Sequence, residues 1–292
     1  MTVGGRTQAG MRGFSRKRRE TEAAPATPPR RKVGGRIPVG LLVPAGIGLA
    51  FLVLPLAGLL IRAPWSTMVE RLTKPGVLTA LRLSLETATI ATIACIIFGV
   101  PLAWLLARVD FPGRRVVRAL VTVPLVLPPV VGGVALLLVF GRRGIVGSWL
   151  YSTFGISFPF TTTGVVIAEA FVAMPFLVIA VEGALRGADT RYEEAAATLG
   201  ARRWTTFRRV TLPLVAPGIA AGAVLCWARA LGEFGATITF AGNFPGRTQT
   251  MPLAVYLALE TNLNDAIVLS LVLLAVSVTI LVSLRDKWLT TA

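Results

Sequence analysis

The chain has 292 residues, of which 54% are hydrophobic and only 15% charged, with a mean hydropathy of +0.71. Soluble domains run near 25% charged, so a soluble chain is excluded and an integral membrane protein is expected. A net charge of +16 with no histidine would suggest nucleic acid in a soluble chain; in a membrane protein it points to arginine on the cytoplasmic side, and no nucleic-acid partner is expected.

Residues 1–36 are rich in Gly, Pro, Thr and Arg, with the runs Arg16-Lys17-Arg18-Arg19 and Arg30-Arg31-Lys32. That composition cannot bury a core and predicts a disordered basic cytoplasmic tail. It can bind anionic surfaces, but its simpler role is to hold the N-terminus inside. A cleaved signal peptide is not expected, because the apolar run that follows is too long and no A-x-A pattern closes it.

A bilayer core near 30 Å takes about 20 apolar residues of helix. Six stretches qualify: 37–61, 79–107, 119–141, 161–185, 210–242 and 266–284. They are twice the length of barrel strands and do not alternate, so an all-α integral membrane protein with six transmembrane helices is predicted. Pro124, Pro128 and Pro129 fall inside the third span; in lipid they predict a kink. With the N-terminus inside, segments 1–36, 108–118, 186–209 and 285–292 hold 10, 4, 6 and 2 Lys/Arg, which is 22 of the 30. The positive-inside rule then places both termini in the cytoplasm.

Chemistry of several kinds is missing. The lysines, Lys17, Lys32, Lys74 and Lys287, are followed by Arg, Val, Pro and Trp, so no Walker A loop exists. Without histidine there is no Ser-His-Asp triad and no H-E-x-x-H zinc site. Cys95 and Cys226 both sit in apolar runs, which excludes a disulfide framework and a Cys/His metal site. Glu193 and Glu194 are adjacent and point about 100° apart on a helix, so they do not form an acid/base pair. No enzyme activity and no cofactor are expected of this chain.

The loop between the fourth and fifth spans runs Arg191-Tyr192-Glu193-Glu194-Ala195-Ala196-Ala197-Thr198-Leu199-Gly200 and continues to Val210-Thr211-Leu212-Pro213. Ala and Glu favour a short helix over 192–199. Asp189 or Thr190 can cap its start, and Gly200 can end it in a left-handed conformation. Glu194, Ala195, Ala196, Gly200, Val210, Leu212 and Pro213 match, at every spacing, the E-A-A…G…I/V-x-L-P signature. The chain thereby resembles the permeases of binding-protein-dependent ABC importers. Leu125 to Gly133, Gly141-Arg142-Arg143-Gly144 and Ala228-Arg229-Ala230-Leu231-Gly232-Glu233-Phe234-Gly235-Ala236-Thr237-Ile238-Thr239-Phe240 resemble the molybdate permease subunit more than the sulfate one.

The resemblance implies a type-1 ABC importer permease architecture in a bacterial cytoplasmic membrane, with a cytoplasmic coupling helix between helices 4 and 5. It implies a homodimer, two ABC ATPase subunits that carry ATP and Mg, and an extracytoplasmic oxyanion-binding protein. It covers the chain from about residue 79 onward. The organisation expected is therefore a tail to 36, a first helix and external loop over 37–78, a permease core over 79–286, and a short tail over 287–292. Tungstate and sulfate are the rival substrates; a stand-alone secondary transporter would leave the coupling motif unexplained.

Two charge pairs lie inside spans. Arg82 and Glu86 are four residues apart, as are Arg229 and Glu233, so each pair shares a helix face. Charge at bilayer depth is costly and faces an interior or a wet path. Arg82, Glu86, Arg229, Gly232, Glu233 and Phe234 are the candidate lining of a translocation path. The alternative for either pair is an ion pair that only locks packing. Glu169 in span four has no partner readable from sequence, although span two or five can supply one.

Overall fold

The computed structural model describes residues 39–289. The tail assigned to 1–36 lies outside them, as do the last three residues. The chain divides into two units, residues 1–52 and 53–292. In the first, the described residues are the opening of helix α1 (Val39–Ile61), with large apolar side chains such as Leu42 and Phe51 exposed.

The second unit carries the end of α1 and twelve further α-helices among the described residues. These are α2 (Met68–Leu72), α3 (Pro75–Arg108), α4 (Arg114–Val126), α5 (Pro129–Phe140), α6 (Gly147–Phe154), α7 (Thr162–Gly187), α8 (Arg191–Thr198), α9 (Arg203–Thr206), α10 (Leu212–Leu231), α11 (Gly235–Phe240), α12 (Met251–Thr261) and α13 (Leu263–Leu289). No strand is present among the described residues. α3 begins with Pro75 in its first turn, where a missing N–H costs nothing. α7 begins with a side-chain cap, the Gly164 N–H donating to Thr161 Oγ1 at 3.1 Å.

The core is the packing of α3, α7 and α10 on one another. Small side chains allow the approach. Ala88, Ala91, Cys95, Ala173 and Cys226 are fully buried, with Leu177, Val178 and Val181 filling the remaining space. In lipid there is little hydrophobic drive between helices, so such close contact is what holds them together. A separate cluster joins α5, α7 and α11 through Leu136, Ala168, Val172, Ala236 and Phe240.

Five described helices are long and apolar enough to cross a membrane: those spanning 40–61, 75–108, 162–187, 203–231 and 263–280. The third predicted span differs from expectation. It is broken at Leu127 and Pro128 into α4 and α5, bent by 118°, and makes a sixth crossing only as a broken pair. Pro128 and Pro129 are the cause: Leu127 precedes a proline and adopts extended backbone, ψ 130°. The fifth span also stops short. α10 ends at Leu231, and residues 232–234 leave the helix before α11 starts. At its other end α10 continues backward without a break through a π-helical turn (Phe207–Thr211) into α9. α12 falls within what sequence alone leaves as an external loop, because a helix of 11 residues is too short to span.

α5 lies so close to α11 that a Cβ on Gly133 would sit 2.7 Å from Thr239 Cβ and 2.9 Å from the Ala236 carbonyl. In an open helix Gly→Ala gains up to about 1 kcal/mol. Here overpacking dominates, and Gly133→Ala should destabilise by about 2 kcal/mol. Gly183 in α7 has no atom near its virtual Cβ and serves as control. Thermal melts in detergent should show a loss for Gly133→Ala and none for Gly183→Ala.

Candidate functional site: helix α8 and two facing helix breaks

α8 forms where its composition predicts, one residue earlier at its start. Asp189 Oδ1 accepts the Arg191 N–H at 2.9 Å, which satisfies one of the first free donors. The helix ends in a Schellman motif. The Ala201 N–H donates to the Ala196 carbonyl and the Gly200 N–H to the Ala197 carbonyl, both at 3.0 Å. Gly200 has φ +78° with open space around it, so glycine is needed there for backbone conformation and not for room.

Most of α8 is uncovered. Glu194 and Ala195 are exposed, Ala196 is half-buried, and Tyr192, Leu199 and Trp204 present large apolar surface. The Glu194 backbone N–H donates to the Thr190 carbonyl at 3.0 Å, and its carboxylate makes no hydrogen bond or ion pair among the described residues. Glu193 turns the other way. Its Oε1 lies 3.1 Å from Arg108 Nη2 at the end of α3 and accepts the Thr211 hydroxyl at 3.0 Å, in the turn that leads into α10. Phe207 packs between Trp204, stacked at 5.6 Å, and Trp104 of α3, edge-on at 5.9 Å. Thus α8 is fastened to two of the three core helices. Val210, Leu212 and Pro213 belong to the π turn and the first turn of α10 and supply its backbone; Val210 and Leu212 are half-buried and Pro213 is exposed.

The second region is where the two broken helices meet. Pro129 and Val130, just past the α4–α5 break, share a cavity of about 300 Å³ with Arg229, Gly232, Glu233, Phe234 and Gly235. Arg229 Nη1 lies 2.6 Å from Glu233 Oε2; the carboxylate side chain is 1% exposed and the guanidinium 27%. Glu233 Oε1 also accepts the Ala236 N–H at 2.9 Å, so the carboxylate sits at the N-terminus of α11, where backbone donors and the helix dipole favour negative charge. Phe234 stands beside Tyr256 of α12, ring centroids 5.2 Å apart.

The other in-span charges are placed differently. Arg82 and Glu86 pair at 2.6 Å on a face of α3 that this chain leaves exposed, 79% and 50% by side chain, well apart in character from the buried Arg229–Glu233 pair. Glu169 is buried on α7 and finds its partner on span two, where the Thr87 hydroxyl donates to Oε1 at 2.9 Å. Glu182, near the end of α7, takes Arg118 of α4 and Arg186, each at 2.7 Å. Among the described residues no group of three Cys, Asp or Glu is placed to hold a metal.

The structure therefore gathers the predicted residues at two places, around α8 and around residues 229–234, and does not bring Arg82 or Glu86 into the lining of the second. Sequence reasoning missed Pro129 and Val130 as lining residues, although their Pro-Pro-Val run was already singled out. It missed Glu193, Arg108 and Thr211 as a joint. No local pattern signals that joint, because it depends on contacts 85 and 18 residues apart.

Comparison with known proteins gives consistent relatives. Residues 99–291 match the family described as "Binding-protein-dependent transport system inner membrane component". The Mycobacterium bovis "Molybdenum transport system permease protein ModB" is 48% identical over 82% of this chain and 91% of its own length. The Escherichia coli protein of the same name is 45% identical over 72% and 92%. The Escherichia coli "Sulfate transport system permease protein CysT" is 38% identical over 86% and 93%. A bacterial ABC transporter involved in the import of the acidic polysaccharide alginate shares the fold, with a TM-score of 0.71, 19% identity, and coverage of 86% of this chain and 94% of that one.

Proposed function

Because the chain belongs to the family of binding-protein-dependent transport system inner membrane components, a family of multi-pass membrane permease subunits rather than catalytic enzymes, we propose that it translocates molybdate by alternating access. The relatives named for molybdenum transport, at 45–48% identity, support molybdate over sulfate, whose named relative stands at 38%.

In this reading two copies of the chain form the membrane-spanning unit. Both termini are cytoplasmic, and residues 1–36 act as a topology anchor. Residues 79–286 are the permease core. Two ABC ATPase subunits bind beneath, with ATP and Mg, and an extracytoplasmic oxyanion-binding protein docks above. α8 is the coupling helix. The observation that carries this is its two-sidedness: Glu194 and the apolar Tyr192 and Leu199 face outward for a partner, while Glu193 ties the helix to α3 and α10. Closing of the ATPase dimer shifts α8, and the shift reaches the core through that joint. The cavity at residues 129–130 and 229–235 is the proposed part of the path at which α5 and α11 move.

The test is co-purification with candidate ATPase subunits. Wild type should retain an ATPase. Glu194→Ala, which alters only the exposed face, should weaken retention, and Gly200→Pro, incompatible with φ +78°, should abolish it. Molybdate uptake by the reconstituted complex should exceed sulfate uptake. Folded wild-type chain that retains no ATPase, or transports alone in liposomes, overturns the reading in favour of a secondary transporter.

A further inference from the structure

Away from both regions, an arginine-lined pocket opens between the start of α4 and the end of α7. Its cavity is about 720 Å³, lined by Asp110, Phe111, Arg114, Arg115, Arg118 and Arg186, among others. Four guanidinium groups face two carboxylates there, Asp110 beside Arg114 and Glu182 behind Arg118 and Arg186. Arg114 also donates to the Leu106 carbonyl, its Nε at 2.8 Å, closing the end of α3. The Arg115 side chain is exposed, lines the cavity and makes no hydrogen bond or ion pair among the described residues, so one full charge is available there.

Depth follows from helix length. α3 has 34 residues, roughly 51 Å at 1.5 Å per residue. That exceeds the hydrocarbon core of about 30 Å, so its Arg108 end reaches the headgroup layer. α7 ends at the same level, since Arg118 and Arg186 share Glu182. α4 departs from this level as an amphipathic helix. Arg114, Arg115 and Arg118 lie toward the pocket, while Val116, Leu120 and Val123 are exposed on the same helix. Arginine beside uncovered aliphatic surface at headgroup depth suits the boundary between lipid headgroups and acyl chains, where α4 enters the membrane.

We propose that this pocket binds the phosphate headgroup of an anionic phospholipid, with Arg115 as its principal free charge and the aliphatic residues of α4 against the acyl chains. Basic pockets between membrane helices on the cytoplasmic side hold such headgroups. The inference uses the permease reading only for sidedness and does not depend on the substrate.

The experiment is native mass spectrometry of the purified full-length chain, titrated in detergent with phosphatidylglycerol or phosphatidylcholine. Wild type should retain phosphatidylglycerol in preference. Arg115→Gln should weaken that retention about fivefold and leave the fold intact, because the Arg115 side chain makes no bond among the described residues. Arg143→Gln removes an equal charge from an exposed residue between α5 and α6 and should leave retention unchanged. Equal retention of both lipids, or an Arg115→Gln affinity equal to wild type, overturns the proposal. So does displacement of the lipid by millimolar inorganic phosphate, which would make it a soluble-anion site. Displacement by an added ATPase subunit, with its binding lost in Arg115→Gln, would assign the surface to a protein partner instead.

Discussion

Replacing Arg229 by Gln is expected to destabilise the protein by about 3 kcal/mol, because it strands a carboxylate that is 1% exposed. Glu233 would keep only the Ala236 N–H. Replacing Glu233 by Gln should cost less, since the amide oxygen can still accept from Ala236 and the orphaned guanidinium, 27% exposed, is less enclosed than the carboxylate. The double variant Arg229→Gln/Glu233→Gln should recover part of the Arg229→Gln loss, the non-additivity expected of two groups in contact. Denaturation of purified single and double variants in detergent measures this. An Arg229→Gln protein as stable as wild type, or strictly additive losses, removes the ion pair from the account of how the α10–α11 break is held. Uptake separates the two roles that sequence leaves open. If the pair only locks packing, the double variant regains uptake along with stability. If the groups meet the anion, the double variant folds and stays inactive.

The parts of this fold that sequence makes legible are those that depend on local composition. Apolar length identifies the helices 40–61, 75–108, 162–187 and 263–280 because a bilayer demands a minimum span. α8 is legible because Ala and Glu favour helix, Asp189 caps it and glycine alone suits its left-handed end. Hydropathy fails where the chain turns without changing character. The run from 119 to 141 stays apolar through Leu127-Pro128-Pro129, so a scan for charge-free length passes over a 118° bend. The prolines mark the place, but a kinked span and a broken one have the same composition.

The break at residues 232–234 is hidden for a different reason. Gly232 permits it, Glu233 is held across it by Arg229 behind and the α11 backbone ahead, and the tertiary part is the close approach of Gly235, whose Cβ would sit 2.9 Å from Pro129 Cβ. An i, i+4 pair alone reads as helix support, yet here it straddles the helix end, with Arg229 inside α10 and Glu233 beyond it. The same limit applies to the acidic pair on α8. Sequence gives Glu193 and Glu194 equal weight at the helix start, and motif spacing draws attention to Glu194. Arg108 at the end of α3 and Thr211 in the π turn before α10 are what make Glu193 the internal contact, while Glu194 stays exposed.

That division predicts opposite behaviour for neighbouring residues. Glu193→Ala removes the Arg108 contact and the acceptor for Thr211. Hydrogen bonds to a charged group are worth about 1.5–3 kcal/mol when they are largely desolvated. With Glu193 still about one-fifth exposed, a stability loss near 1 kcal/mol is expected, too small to unfold the chain. The functional loss should be larger. The ATPase should remain bound, because the outward face of α8 is unchanged. Molybdate moved per ATP hydrolysed in proteoliposomes should nevertheless fall by about tenfold, because α8 can then shift without carrying α3 and α10 with it. The π turn at Phe207–Thr211, where the Leu212 N–H reaches back to the Phe207 carbonyl, places a locally widened helix at that joint, a feature frequent at functional sites. Thr211→Val, which deletes one of the two bonds, should give an intermediate ratio, and Glu193→Gln should stay nearer wild type by keeping an acceptor for Thr211. Glu194→Ala should show the converse, with weaker ATPase retention and a normal ratio for the complexes that form. If Glu193→Ala lowers ATPase binding as Glu194→Ala does, or leaves the transport ratio unchanged, the motion passes into the core by some route other than the Arg108–Glu193–Thr211 contact.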